Sequence, residues 1–256
     1  TRAWFTNTGT VVGVAMSTAP PPSPTAAGSR SHRGEDKVSR NRILATGACA
    51  ACQCSSFRTH CNEDWLQAFA AMIVRASSDV QAMMIENLAE EQGLLAGPDG
   101  EAHNHPQMIS DFCDAAGLSP DEVANVEPTP SWWARQLHYR HVCENEPVGV
   151  ALAMLSTQEG QQPELNAEVT IPAFAAHYGY ERDAKEIKFF VEHESADLEH
   201  AQRQLDLCAA HLKDPALHDR AREVAEQACM LRWASTTDTY RFEALGESDP
   251  LPPALA

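Results

Sequence analysis

Positive charge is scarce in this sequence. Nineteen lysines and arginines face 36 aspartates and glutamates among 256 residues, a formal net charge of −17. The deficit is uneven. Residues 1–61 hold seven basic side chains against Glu35 and Asp36 alone, so residues 62–256 carry 12 basic and 34 acidic groups, net −22. A body of that sign argues against nucleic-acid binding, which needs cations to meet phosphates. Long apolar runs are missing too. No stretch of about 18 consecutive apolar residues occurs, so no membrane span is expected. Convincing period-two alternation is also lacking, which excludes a sheet-based architecture. Four of the eight cysteines crowd into "ACAACQCSSFRTHC" (Cys49, Cys52, Cys54, Cys61, with His60 beside them), but the second pair that a zinc module needs at suitable spacing is absent. That stretch therefore reads as an unstructured thiol-rich segment. Cys113, Cys143, Cys208 and Cys229 fall mostly in apolar helical contexts and read as small core fillers in a reducing compartment.

What is present divides in two. Residues 1–61 include "STAPPPSPTAAGSRSHRGEDK", rich in Pro, Ala, Ser and Gly and without helical or strand period, and are expected to be a low-complexity, disordered N-terminal segment. The segment contains Arg and Ser and has no acid before Glu35, a composition compatible with a transit peptide. The expected location is cytoplasmic, or an organelle if that targeting reading holds. Residues 62–256 form the expected folded domain. With 43% hydrophobic residues overall, the chain can bury one sizeable core.

From residue 62 onward the pattern is helical. "EDWLQAFAAMIVRA" spaces Trp65, Leu66, Phe69, Ile73 and Val74 as a helix does. "SSDVQAMMIENLAEEQG" opens on Ser/Asp caps and stops at Gly93, and "PQMISDFCDAAG" begins on Pro106 and ends at Gly117. "SWWARQLHYRHVCEN" and "PVGVALAMLSTQEGQQ" predict two more helices, and Pro163 and Pro172 break the next stretch. One long helix is expected over residues 181–212 and another from Asp214-Pro215 onward. The class is all-α, a bundle of six to eight helices.

"FFVEHESADLEH" sits within that long predicted helix. At about 100° per residue, His193, Asp197 and His200 share roughly 60° of arc with Phe189 and Phe190, whereas Glu192, Glu199 and Arg203 lie off that face. The trio therefore points into the core. Burying an unpaired carboxylate with two imidazoles costs several kcal/mol for each charged form. A metal ion removes the penalty by accepting the lone pairs and balancing the acid. The ordinary alternative is a hydrogen-bonded Asp–His pair. Further donors lie elsewhere: Glu86, Glu90 and Glu91 near one helix end, His103 and His105 after it, and Glu159 four residues before Pro163. Together they suggest the carboxylate-and-histidine shell of a dinuclear site. No Glu-x-x-His pair of the ferritin type occurs.

The run "MMIENLAEEQG…HPQMISDFCDAAGL", then "QEGQQPE", then "HYGYERDAKEIKFFVEHESADLEHAQ" resembles the heme-oxygenase-like diiron oxidases, relatives of pyrroloquinoline-quinone synthase and thiaminase-II. The resemblance covers roughly residues 65–235. It implies a heme-oxygenase-like helical bundle with Glu91, His105, Glu159, His193, Asp197 and His200 as metal ligands, Glu90 and His103 being substitutes for the first two. It further implies two Fe(II) ions, or an iron–manganese pair, with O2 as co-substrate. The reaction would be oxidation of a small amine- or carboxylate-containing metabolite by N-oxygenation or oxidative C–C cleavage, with an external electron donor and a homodimer both compatible. One branch of the family builds an aminobenzoate from a tyrosine of the protein itself. This chain departs from that branch: its tyrosines are Tyr139, Tyr178, Tyr180 and Tyr240, the early tyrosine-bearing helix has no counterpart, and "ELNAEVTIP" lacks the usual lysine. A metal-free thiaminase-II-like or quinone-synthase-like enzyme and a non-catalytic acidic interaction module are the alternatives. In "PSWWARQLHYRH", Arg135 and Arg140 are candidates to pair with a substrate carboxylate, the plain alternative being solvated helical arginines.

Overall fold

The computed structural model describes residues 61–96, 100–124, 128–245 and 247. The Pro/Ser-rich stretch, Cys49, Cys52, Cys54 and His60 lie outside the described residues. Among the described residues eleven α-helical segments follow one another: α1 Cys61–Arg75, α2 Ser78–Glu91, α3 His105–Ala115, α4 Pro120–Ala124, α5 Pro130–Asn145, α6 Val148–Glu159, α7 Gln162–Leu165, α8 Ile171–Ala173, α9 Lys188–Glu192, α10 Ala196–His211 and α11 His218–Thr239. Seven of them, α1, α2, α3, α5, α6, α10 and α11, are 11 residues or longer. The all-α bundle expected from the sequence is what forms. No described helix is long and apolar enough to cross a membrane.

Helix α6 is the hub. It is buried nearly all round, from Gly149 to Glu159, as a helix without a polar face must be. α10 and α11 pack along it, α5 packs on α11 and α1, and α2 closes against α1 and α10. Gly149 lets α6 approach the end of α10: a Cβ there would stand 2.9 Å from the backbone carbon of His211. Two apolar cores result. One joins Phe69, Met72, Met84, Leu152, Leu155 and Val224. The other joins Ile109, Phe112, Trp132, Phe174, Phe189 and Phe190. On α1 the core positions are Ala68, Phe69 and Met72, and Val74 is exposed, because the helix buries a narrower stripe than its apolar pattern offered.

Two local expectations change. The prolines do not break the stretch after α6. Pro163 occupies the first turn of α7, and Pro172 sits in α8 between two π-helical turns, Asn166–Thr170 and Phe174–Tyr178. A wider turn removes the requirement for the amide that proline lacks. Gly179, left-handed at φ 76°, ends the run. The long helix over 181–212, by contrast, is not continuous. It opens as a 3₁₀ turn at Lys185–Ile187, runs as α9, breaks at residues 193–195 and resumes as α10. At the break the amides of Glu194 and Ser195 reach back only three residues, to the carbonyls of Val191 and Glu192. The Phe190 carbonyl so released accepts instead from Asn166 Nδ2 at 3.0 Å, which fastens the first π turn to α9.

Candidate metal centre

Glu91 and His105 are brought together by a clip between α2 and α3. Gly93 turns the chain with φ 67°, in a space where a Cβ would come within 2.8 Å of the Asn104 amide nitrogen. Asn104 Nδ2 donates to the Gln92 carbonyl at 2.9 Å, and the Asn104 side-chain oxygen caps α3 by accepting from the Gln107 amide at 2.8 Å. One residue before Gln92 and one after Asn104, Glu91 Oε2 and His105 Nδ1 meet at 2.7 Å. His193, at the break between α9 and α10, completes a trio: one donor atom each from Glu91, His105 and His193 lies within 4.8 Å of the others. The His193 Nδ1–H donates to the Phe189 carbonyl at 2.7 Å, so its Nε2 lone pair is directed elsewhere, with Asp197 Oδ1 4.0 Å away.

A second cluster adjoins it. His200 Nδ1 stands 3.8 Å from Glu159 Oε2, and His200 Nε2 meets Glu90 Oε2 at 2.5 Å. Arg203 braces Glu90 at 3.3 Å and Glu86 at 2.9 Å. The six side chains named from sequence come from α2, α3, α6, α10 and the break before α10; His105, Glu159, His193, Asp197 and His200 are buried and Glu91 is half-buried. Phe189 roofs two of the imidazoles, 4.0 Å between ring centroids to His193 and 5.7 Å to His105, and so keeps water from that side.

The electrostatics are those of a site short of positive charge. Burial, reinforced by the charges of Glu159 and Glu91, holds the Asp197 carboxyl well above the ordinary range. Burial pushes Glu159 up to about 7, against the pull of His200. At His105 burial opposes the cation, but the charges of Glu91 and Glu192 and the hydrogen bond to Glu91 overcome it and push the imidazole up to about 10. Burial and the neighbouring His105 drive His193 down to about 3. Glu159 Oε2 is a buried acceptor without a hydrogen-bond partner. The carboxylate–imidazole donor set, the orphaned Glu159 oxygen and the inward His193 Nε2 fit a hard or borderline divalent cation.

Some placements differ from the sequence reading. Glu192 is not an outward residue. Its Oε1 lies 3.4 Å from His103 Nε2 and 3.8 Å from His105 Nε2, and its Oε2 is buried without a hydrogen-bond partner. The break at 193–195 turns α9 relative to α10, so one helical wheel does not describe both. His103 lies outside the Glu91–His105–His193 group and contacts Glu192 and, at 3.4 Å, Lys188. Arg140 is exposed and paired with Glu144 at 2.8 Å, away from the site. Arg135 points inward, 5.0 Å from the Trp132 ring and 5.6 Å from that of Tyr139.

The chain is 25% identical over 149 residues to a protein named 4-aminobenzoate synthase from Chlamydia trachomatis (58% of this chain, 60% of that one). It is 27% identical over 154 residues to one of the same name from Nitrosomonas europaea (60% and 59%). The chain thus matches about three-fifths of the length of these curated relatives. In fold it is similar to a crystal structure of a domain of unknown function with a heme oxygenase-like fold from Shewanella denitrificans, with a TM-score of 0.62, 15% identity and 84% of each chain covered. The buried acids and imidazoles all fall within residues 56–233, the span that matches the family model of iron-containing redox enzymes, and it is to that family that the chain belongs.

Proposed function

We propose that the protein is a non-heme dinuclear-iron oxidase or oxygenase that uses O2 to oxidise a small amine- or carboxylate-containing metabolite, by N-oxygenation or oxidative C–C cleavage. The observation that carries this reading is the convergence of five buried donors and the half-buried Glu91, one of the five being the orphaned Glu159 oxygen, in a family of iron-containing redox enzymes. Glu91, His105 and His193 would hold one ion and Glu159 and His200 the other, with Asp197 available to either. Bound iron would supply the one-electron chemistry by which O2 reacts with a closed-shell organic molecule.

The chain's own residues have definite tasks in this scheme. The Phe189 carbonyl fixes the His193 tautomer by accepting its Nδ1–H. Glu90, braced by Arg203, holds His200 by Nε2 and leaves Nδ1 facing Glu159, which supports Glu91 rather than Glu90 as the ligand on α2. Glu192 Oε1, 3.8 Å from His105 Nε2, is placed to take up its proton through one water. Phe189 limits water at the imidazoles.

Formation of 4-aminobenzoate, the activity in the relatives' name, is the second reading; the lack of a lysine in "ELNAEVTIP" weighs against it. Metal analysis tests the first. The protein purified aerobically should carry iron, and His193→Ala should lose most of it. Wild-type protein free of iron, manganese and zinc would leave the metal-free alternatives.

A further inference from the structure

Each of two adjoining helices carries an arginine where its stripe of core residues should be apolar. On α5 the buried stripe is Trp132, Arg135, Tyr139, Val142 and Cys143. On α11 it is Ala221, Val224, Ala228, Arg232, Ser235 and Thr239. The helices pack together, and Arg135 and Arg232 are 4% and 8% exposed. Like charges in a dry interior are costly unless an anion joins them. Among the described residues no carboxylate forms an ion pair with either guanidinium, although the charge of Asp197 reaches Arg232 and the Tyr139 hydroxyl adjoins Arg135; their measured hydrogen bonds go to amide groups. Arg232 donates to the Gln158 carbonyl at 2.9 Å and to Gln162 Oε1 at 2.5 Å, and Arg135 Nη2 reaches Gln158 Oε1 at 3.4 Å. Two donors are left over on these contacting residues: Arg135 Nη1 and Gln158 Nε2 are buried and make no hydrogen bond. Gln158 is fully buried and precedes Glu159, the orphaned acid of the metal centre, on α6.

From this arrangement we infer that Arg135, Arg232 and Gln158 form the recognition site for the carboxylate of a small organic acid, placed next to the metal centre. A carboxylate accepts from Arg135 Nη1 and Gln158 Nε2 with its two oxygens and neutralises charge that the protein itself does not. The inference rests on the proposed oxidase reading for what happens to the acid, and not for its binding. It narrows the substrate class from amines or carboxylates to molecules that carry a carboxylate. Sequence reasoning selected Arg135 for its side-chain type; Arg232 gave no signal of its own, because one arginine in a 22-residue helix reads as solvated until the helix is packed.

Calorimetric titration with two matched pairs, acetate against acetamide and benzoate against benzamide, tests the site. The full chain is used as isolated and again after chelation, so that binding to metal is separated from binding to arginine. At least one acid should bind both forms at least tenfold tighter than its amide. Arg135→Gln should remove that preference, and Arg135→Lys should restore part of it. Equal affinity within both pairs, or an unchanged preference in Arg135→Gln, would overturn the inference. If Arg135→Gln does not fold, Gln158→Leu, which removes a neutral amide and leaves both guanidiniums in place, must weaken the acid and spare the amide. A chain that binds acid selectively but retains no iron would sink the oxidase reading alone, whereas an iron-loaded chain indifferent to charge would sink only this inference.

Discussion

Removing the Glu159 charge should make the metal-free protein more stable and the metal site worse. Glu159 rises from an ordinary 4.5 to about 7 because its carboxylate is buried without a counter-charge close enough to offset it. Each pH unit of that rise corresponds to about 1.4 kcal/mol, so the ionised form costs about 3 kcal/mol of folding free energy once it is fully developed. The sign follows from the direction. The folded-state value is raised, so the stability associated with this group is fully present below pH 4.5 and is lost as pH rises through 7. Glu159→Gln has nothing to titrate there. With chelator present, denaturant unfolding followed by circular dichroism should give wild type and variant nearly equal stability at pH 4.5. The variant should gain steadily with pH and lead by up to about 3 kcal/mol at pH 8, less whatever relief Asp197 feels from the loss of its neighbour. The same variant should bind divalent metal at least tenfold more weakly. A difference that is flat with pH, or a wild type that is the more stable at pH 8, would refute the claim that this carboxylate is buried for the sake of a cation.

Other consequences follow from the same geometry. Metal binding at pH 7 must strip the proton held by His105 at about 10 and part of one from Glu159 at about 7, so uptake should release at least one proton and affinity should rise with pH; calorimetry in buffers of different ionisation enthalpy reads this directly. Glu90→Ala frees His200 Nε2 and should weaken metal binding about 10–100-fold while leaving the helical signal intact. Gly149→Ala forces a methyl group against the backbone at His211 and should cost about 1–3 kcal/mol, visible as a lower denaturation midpoint at constant m-value. Asn104→Ala removes both the α3 cap and the clip to Gln92, and should cost about 1 kcal/mol and loosen the Glu91–His105 pair, seen as weaker metal retention.

The helical class was legible because apolar spacing, caps and stop signals agree along the chain, and the inward turn of Asp197 and His200 was legible because their spacing matches one helical face, whereas His193, at the break, is turned inward by its own hydrogen bond to the Phe189 carbonyl. The particular contacts were less so. A wheel assumes one axis, and the break after His193 supplies two, so Glu192 was placed outward although it faces His103 and His105. Pro172 looked like a terminator because the sequence does not announce a π-helical turn. The choice between Glu90 and Glu91 turns on the clip at Gln92 and Asn104, a contact 12 residues apart that no periodicity encodes. Arg232 became notable only when packing put a second guanidinium near it in a buried setting without an ion-paired acid.

The most direct test of the central claim is anaerobic loading of the full chain with Fe(II), followed by O2 and Mössbauer spectroscopy. Retention of about two iron ions per chain, both converted to ferric on exposure to O2, is the predicted result. Failure to retain iron, or iron that stays ferrous in O2, would contradict the account.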